Sequence, residues 1–89
     1  MQIVLSPELE INLKRLTKND KSLKAKITKQ LNLFKQNQRY PSLRTHKLTG
    51  ELKNLWSISI TRKIRMVYIL EGDIAIFTKL GTHDEVYSN

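Results

Sequence analysis

The sequence predicts an α+β fold of element order β-α-α-β-β-β, one domain over residues 1–89 with an N-terminal helical hairpin packed on one face of an antiparallel sheet. Three observations predict it. Apolar residues recur at helical spacing through the first part of the chain. After a segment punctuated by Pro41 and Gly50 the period changes to strict alternation. Near the end a glycine turn, "EGD", separates two runs rich in β-formers.

The run "QIVLS" reads as a short opening strand that joins the sheet. It ends in "SPEL", where Ser6 can cap a helix, Pro7 suits its first position and Glu8 favours the positive end of the dipole. Leu9, Leu13 and Leu16 follow at helical spacing. "TKND" interrupts, and Asp20 is the expected cap of a second helix. There Leu23, Ile27, Leu31 and Phe34 fall within roughly 80° of arc at about 100° per residue, a narrow apolar stripe.

"LWSISI" then alternates Trp56, Ile58 and Ile60 against Ser57 and Ser59, the pattern of a half-buried strand. "IRMVYIL" and "IAIFTKL" complete a three-stranded meander around the "EGD" turn. If Trp56, Ile58 and Ile60 face the helices, the other sheet face is left open to solvent or a ligand. On the strand with Arg65, the residues Ile64, Met66, Tyr68 and Leu70 take the helix side. Arg65 is expected on the open face, because an unpaired buried guanidinium is costly. An ion pair with Asp84 or Glu85 is the alternative.

Composition narrows the function. Sixteen Lys and Arg oppose eight acids, a net charge of +8. Lys21, Lys24, Lys26, Lys29, Lys35, Arg39, Arg44 and Lys47 span a segment from Lys21 to Gly50 that holds no acid. Such a stripe attracts polyanions and steers association without reading sequence. A solvated helix face or an acidic protein partner would also account for it. Without cysteine there is neither a disulfide framework nor a thiolate zinc site. No apolar run approaches membrane-spanning length and "MQIVLSPELE" lacks a basic n-region, so a cytoplasmic location is expected.

The closing stretch "LGTHDEVYSN" gathers chemistry: His83, Asp84, Glu85 and Tyr87 follow a glycine. His83 is expected in an exposed polar tail, and Asp84 and Glu85 as surface acids or as partners orienting His83. His46 reads either as a functional imidazole or as a loop histidine setting the turn before Gly50. Tyr87 can pack on the sheet edge or stack on a base. Tyr40, followed by Pro41, is expected to pack in a turn, with stacking on RNA as its other reading. A zinc site is not expected, since "HDE" lacks the i, i+4 presentation that makes such sites specific.

Taken together, "HKLTG", "LWSISI", "IRMVY" and "LGTHDEVY", in that order behind two helices, resemble the RelE/YafQ branch of bacterial type II toxin–antitoxin toxins, in the RelE/ParE superfamily. The resemblance covers nearly the whole chain and implies a RelE-like fold. It implies a ribosome-dependent mRNA endonuclease, an mRNA interferase, that cleaves by acid–base activation of a ribose 2′-hydroxyl without metal or other cofactor. It also implies a cognate antitoxin as partner, with ribosome and mRNA as targets. ParE-like toxins share the fold but inhibit DNA gyrase and cut no RNA, so a non-cleaving gyrase inhibitor or a toxin that mainly binds its antitoxin is the alternative. A plain RNA-binding module is a third reading.

By the same resemblance His46 and His83 match histidines that YafQ-like toxins use in catalysis, His83 as the acid. Arg65 matches the arginine placed against the scissile phosphate, and Tyr87 a functional C-terminal aromatic. Two departures stand out. Ser59 and Lys63 occupy positions where the YafQ-like pattern has a histidine and an aspartate, and Ser57 and Ser59 occupy those of two RelE-like lysines. Lys24, Lys29, Arg44, Lys47, Lys53, Arg62 and Lys63 are the residues expected to hold RNA.

Overall fold

The computed structural model describes residues 1–48 and 54–87. Strand β1 (Gln2–Leu5) leads into helices α1 (Pro7–Thr17) and α2 (Lys21–Gln36) and a short 3-10 turn at Pro41–Leu43. Strands β2 (His46–Lys47), β3 (Leu55–Ser59), β4 (Ile64–Glu71) and β5 (Ile74–Thr82) follow, and helix α3 (His83–Tyr87) closes the described chain.

The capping residues act as their chemistry requires. Leu9 N donates to Ser6 Oγ at 3.2 Å, and Leu23 N donates to Asp20 Oδ1 at 2.9 Å, so each helix start has one otherwise unpaired amide satisfied. Glu8 and Glu10 lie in the first turn of α1 and Lys14 and Arg15 in its last, both favourable to the dipole.

The five strands form one sheet in the order β1-β5-β4-β3-β2. The sheet is mixed rather than purely antiparallel: β1 pairs parallel with β5, while the other three pairings are antiparallel. The physical reason is the crossover. The helical hairpin carries the chain across the sheet before the meander begins, and the meander's last strand then returns beside β1 in the same direction. The β4–β5 turn has two residues, with Gly72 at φ 57°, the left-handed conformation that the first central position of a type II′ turn demands. A bulge between Val67 and Tyr68 shifts the β4–β5 register so that Tyr68 pairs with Phe77.

The core lies between the sheet and the helices. Leu9, Ile27 and Phe34 from the helices meet Ile58, Ile60, Met66, Tyr68, Ala75 and Phe77 from the sheet. Leu23, Leu31 and Trp56 are partly buried against this cluster. Phe34 is edge-on to Tyr68 and to Phe77, with ring centroids 5.0 and 5.4 Å apart, an arrangement aromatic quadrupoles favour. Leu16 departs from the expected stripe and is exposed, because the row of α1 that faces α2 runs through Leu13 and Thr17. Buried Gln30 donates through Nε2 to Ser42 O at 3.2 Å and Ser59 O at 2.8 Å, tying α2 to the 3-10 turn and the end of β3.

The second sheet face is not left open. The terminal stretch, expected as a polar tail, winds into α3 and lies against β4 and β5, burying Val86 with Val67 and Ser57. Its start is a capping box: Thr82 N donates to Glu85 Oε1 at 2.8 Å, and Glu85 N donates to Thr82 Oγ1 at 3.3 Å.

Candidate active site

Strand alternation decides which groups share the face under α3. His46 pairs with Ser57 across β2 and β3, and Ser59 pairs with Arg65 across β3 and β4, so all four side chains point to that face. The neighbouring residues Lys47, Trp56 and Met66 point to the helix side instead. Helix α3 adds His83 and Tyr87, four residues apart and therefore on one helical face.

The resulting cluster has a defined geometry. Tyr87 stands between the two imidazoles, its ring centroid 4.2 Å from that of His83 and 6.4 Å from that of His46. Its hydroxyl lies 2.6 Å from Ser57 Oγ. Ser57 Oγ also accepts a hydrogen bond from Arg65 Nε at 3.0 Å, so one buried hydroxyl joins phenol and guanidinium. Arg65 Nη2 donates to Arg44 O at 2.8 Å and to Ser57 O at 3.4 Å.

All of these acceptors are neutral. Among the described residues Arg65 makes no ion pair, and the alternative of a bridge to Asp84 or Glu85 is not what the structure contains. Glu85 is occupied by its capping box, and those hydrogen bonds from Thr82 lower its pKa, helped by the charge of Lys79. Asp84 is fully exposed, with Oδ1 3.7 Å from His83 Nδ1. The guanidinium is therefore oriented without being neutralised, which leaves its charge available to an anion. The ring of His46, exposed on β2, makes no hydrogen bond among the described residues, so it is not tied to the backbone there.

Gly81 makes the close approach of α3 possible. It pairs with Arg65 across β4 and β5, and a Cβ built there would sit 3.0 Å from both Cβ and Oε1 of Glu85. Any side chain would press on the residue that closes the capping box.

The residues expected to hold RNA are dispersed. Arg44 lies beside the cluster and supplies the carbonyl that holds Arg65. Arg62 and Lys63 are exposed in the β3–β4 turn that leads into Arg65. Lys47 is turned to the helix side, its ammonium 5.8 Å from the Trp56 ring centroid. Lys24 borders the groove between α1 and α2, across the sheet from the cluster, and Lys29 is exposed on the same helix. Lys53 lies outside the described residues. Among the described residues no three His, Asp or Glu side chains converge as a metal site would require.

Sequence reasoning placed Ser57 on this face but assigned it no task. The capping box was readable, since "THDE" is a Thr-x-x-Glu pattern directly before a turn of helix. The contact between Arg65 and the Arg44 carbonyl carried no sequence signal.

A mixed sheet covered on one side by a helical hairpin has known counterparts. The chain belongs to the YafQ family of bacterial toxins of type II toxin–antitoxin systems, whose family model matches residues 1–88. Its fold is similar to that of a metal-bound toxin from Helicobacter pylori, 26% identical, with a TM-score of 0.74 over 97% of this chain and 98% of that one. It is also similar to a YoeB/ParE toxin from Agrobacterium tumefaciens, 20% identical, with a TM-score of 0.77 over 93% of this chain and 99% of that one. A third similar structure is the YoeB–YefM complex from Staphylococcus aureus, 23% identical, with a TM-score of 0.75 over 93% of this chain and 97% of the other. No curated protein matches the chain in sequence. No helix among the described residues is long and apolar enough to cross a membrane.

Proposed function

We propose that this toxin is a ribosome-dependent mRNA endonuclease that acts in the cytoplasm, uses its own side chains for acid–base chemistry and is held in check by a cognate antitoxin. The observation that carries the proposal is the cluster around Arg65. Two imidazoles flank a phenol beside a guanidinium that, among the described residues, no carboxylate competes for.

In the proposed reaction a base removes the proton from a ribose 2′-hydroxyl, and that oxygen attacks the adjacent phosphorus. The P–O5′ bond breaks, leaving a 2′,3′-cyclic phosphate, and an acid protonates the departing 5′-oxygen. An imidazole can both accept and donate a proton, which suits either transfer. His83 is assigned as the acid, and His46 as a second acid–base or positioning group. Arg65 stabilises the charge that develops on the phosphorane. Tyr87, fixed by Ser57, offers its ring to a base and borders both imidazoles. Arg62 and Lys63, in the turn that leads into Arg65, are assigned to flanking phosphates, Arg44, Lys24, Lys29 and Lys47 to RNA farther from the scissile bond, and Lys53, outside the described residues, is assigned to RNA without a place. The antitoxin is proposed from family membership and from the partner in the staphylococcal complex.

The positions that depart from the family pattern favour one second reading. Ser57 and Ser59 hold no proton donor or acceptor suited to catalysis at neutral pH, and Ser59 Oγ is engaged with Thr61 O at 2.8 Å. A non-cleaving toxin of the ParE kind would accommodate them. Purified protein added to translating ribosomes, with transcript ends mapped by primer extension, separates the two. The proposal expects new 5′ ends, whereas intact transcripts together with inhibition of gyrase supercoiling select the second reading.

A further inference from the structure

A second concave site lies on the helix side of the sheet, away from the Arg65 cluster. It is a hollow of about 400 Å³ between the 3-10 turn and strands β3 and β4, lined among others by Arg39, Tyr40, Arg44, Trp56 and Tyr68. That volume is in the range of small-molecule sites. Its lining is unusual for a fold-closing gap, because it pairs aromatic rings with two guanidiniums and includes no acid. Neither arginine forms an ion pair among the described residues. Tyr40 is 44% exposed, although its place before Pro41 suits a packed turn.

We infer that this hollow receives one extruded nucleotide of single-stranded RNA, its base against Tyr40 and Trp56 and its flanking phosphates on Arg39 and Arg44, with the buried Tyr68 forming the floor. Aromatic faces beside arginines are the means by which unpaired bases are held without strong sequence preference. The neighbouring charge fits a polymer rather than a lone anion. Lys47 lies with its ammonium 5.8 Å from the Trp56 ring centroid, so a third cation borders the hollow.

The hollow is also joined to the candidate active site through one residue. Arg44 lines the hollow, while its carbonyl oxygen accepts from Arg65 Nη2 on the opposite face of the sheet at 2.8 Å. Arg44 holds a left-handed backbone conformation, φ 46°, which aims that carbonyl. A nucleotide that engages the Arg44 side chain steadies the Arg65 guanidinium, so Arg44 is a positioning residue as well as a contact. The binding step does not depend on the cleavage proposed above, and each can fail alone.

Trp56 is the chain's single tryptophan and lines the hollow, which makes it a built-in reporter. The test titrates the full-length His83→Ala chain with a 2′-O-methyl RNA hexamer and follows tryptophan emission. The inference expects saturable quenching that weakens as salt rises. Tyr40→Ala and Arg39→Ala should each weaken binding by about tenfold, as loss of one stacking or phosphate contact does. Both side chains are exposed, and unchanged thermal unfolding of the two variants excludes a folding defect. An unresponsive Trp56 overturns the inference, and so does quenching that persists unweakened in both variants. Quenching by an acidic peptide but not by the RNA also overturns it and assigns the hollow to a protein partner.

Discussion

Replacing Ser57 by alanine removes the one atom that joins Arg65 to Tyr87. Ser57 is completely buried, and its Oγ lies 3.0 Å from Arg65 Nε and 2.6 Å from the Tyr87 hydroxyl. A hydrogen bond from a charged donor contributes about 1.5–3 kcal/mol and a neutral one about 0.5–1.5 kcal/mol. Neither partner is left wholly unsatisfied, since Arg65 keeps its bond to the Arg44 carbonyl and Tyr87 is only half-buried. The expected loss therefore falls below the sum, at about 1–3 kcal/mol, and lowers Tm by at least about 4 °C in a domain of this size.

A double-mutant cycle with Tyr87→Phe isolates the shared bond. Measured by urea denaturation, the two substitutions should couple by about 0.5–1.5 kcal/mol, because deleting either oxygen already removes the interaction. The same Ser57→Ala chain should bind RNA yet cut it more slowly, with Arg65 and Tyr87 less firmly oriented. Additive effects, within about 0.3 kcal/mol, would refute the bond between Ser57 and Tyr87 and with it the bridge from phenol to guanidinium.

Three further outcomes follow from the same contacts. The Glu85 pKa is depressed in the folded chain, so the capping box stabilises α3 fully above the ordinary carboxylate pKa and is lost as pH falls through the lower folded value; Glu85→Gln should flatten that acid limb in a series of thermal melts. Gly81→Ala should loosen α3, seen as faster amide exchange at Glu85 and Val86, because its Cβ meets Glu85 at 3.0 Å; unchanged exchange would show that α3 tolerates the contact. Phe34→Ala removes a fully buried ring packed against Tyr68 and Phe77 and should cost about 3–5 kcal/mol in urea unfolding, while a loss under about 1 kcal/mol would mean the aromatic cluster is not the centre of the core.

The helices and the meander were legible because their signals are local. Ser6 and Asp20 cap where their side chains predict, Ile27 and Phe34 are buried as the apolar stripe requires, and the Trp56–Ser57 alternation divides the two sheet faces correctly. The parallel pairing of β1 was not legible, since Gln2–Leu5 carries no mark of its partner and the choice is made by the helical crossover. Helix α3 escaped because five residues are too few to show a period, although Thr82 and Glu85 announced its start.

At the candidate site the residue types were readable, but the contacts between them were not. His46, Arg65, His83 and Tyr87 come together through strand register and one helical turn. The Ser57 bridge and the Arg44 carbonyl arise from residues far apart in sequence, which no motif records. Ser57 looked like a lost lysine position; in the fold it is the hydroxyl that orders the cluster.

The rate of mRNA cleavage on translating ribosomes, compared between the native chain and its His83→Ala and Arg65→Ala variants, tests the central claim most directly. The account predicts cleavage by the native chain and a loss of about 10²–10⁴-fold without His83, the range of a general acid. Loss of Arg65 should cost about 10²–10³-fold, as removing one stabiliser of developing charge does. Cleavage by either variant at the native rate would contradict it, as would a native chain that leaves every transcript whole.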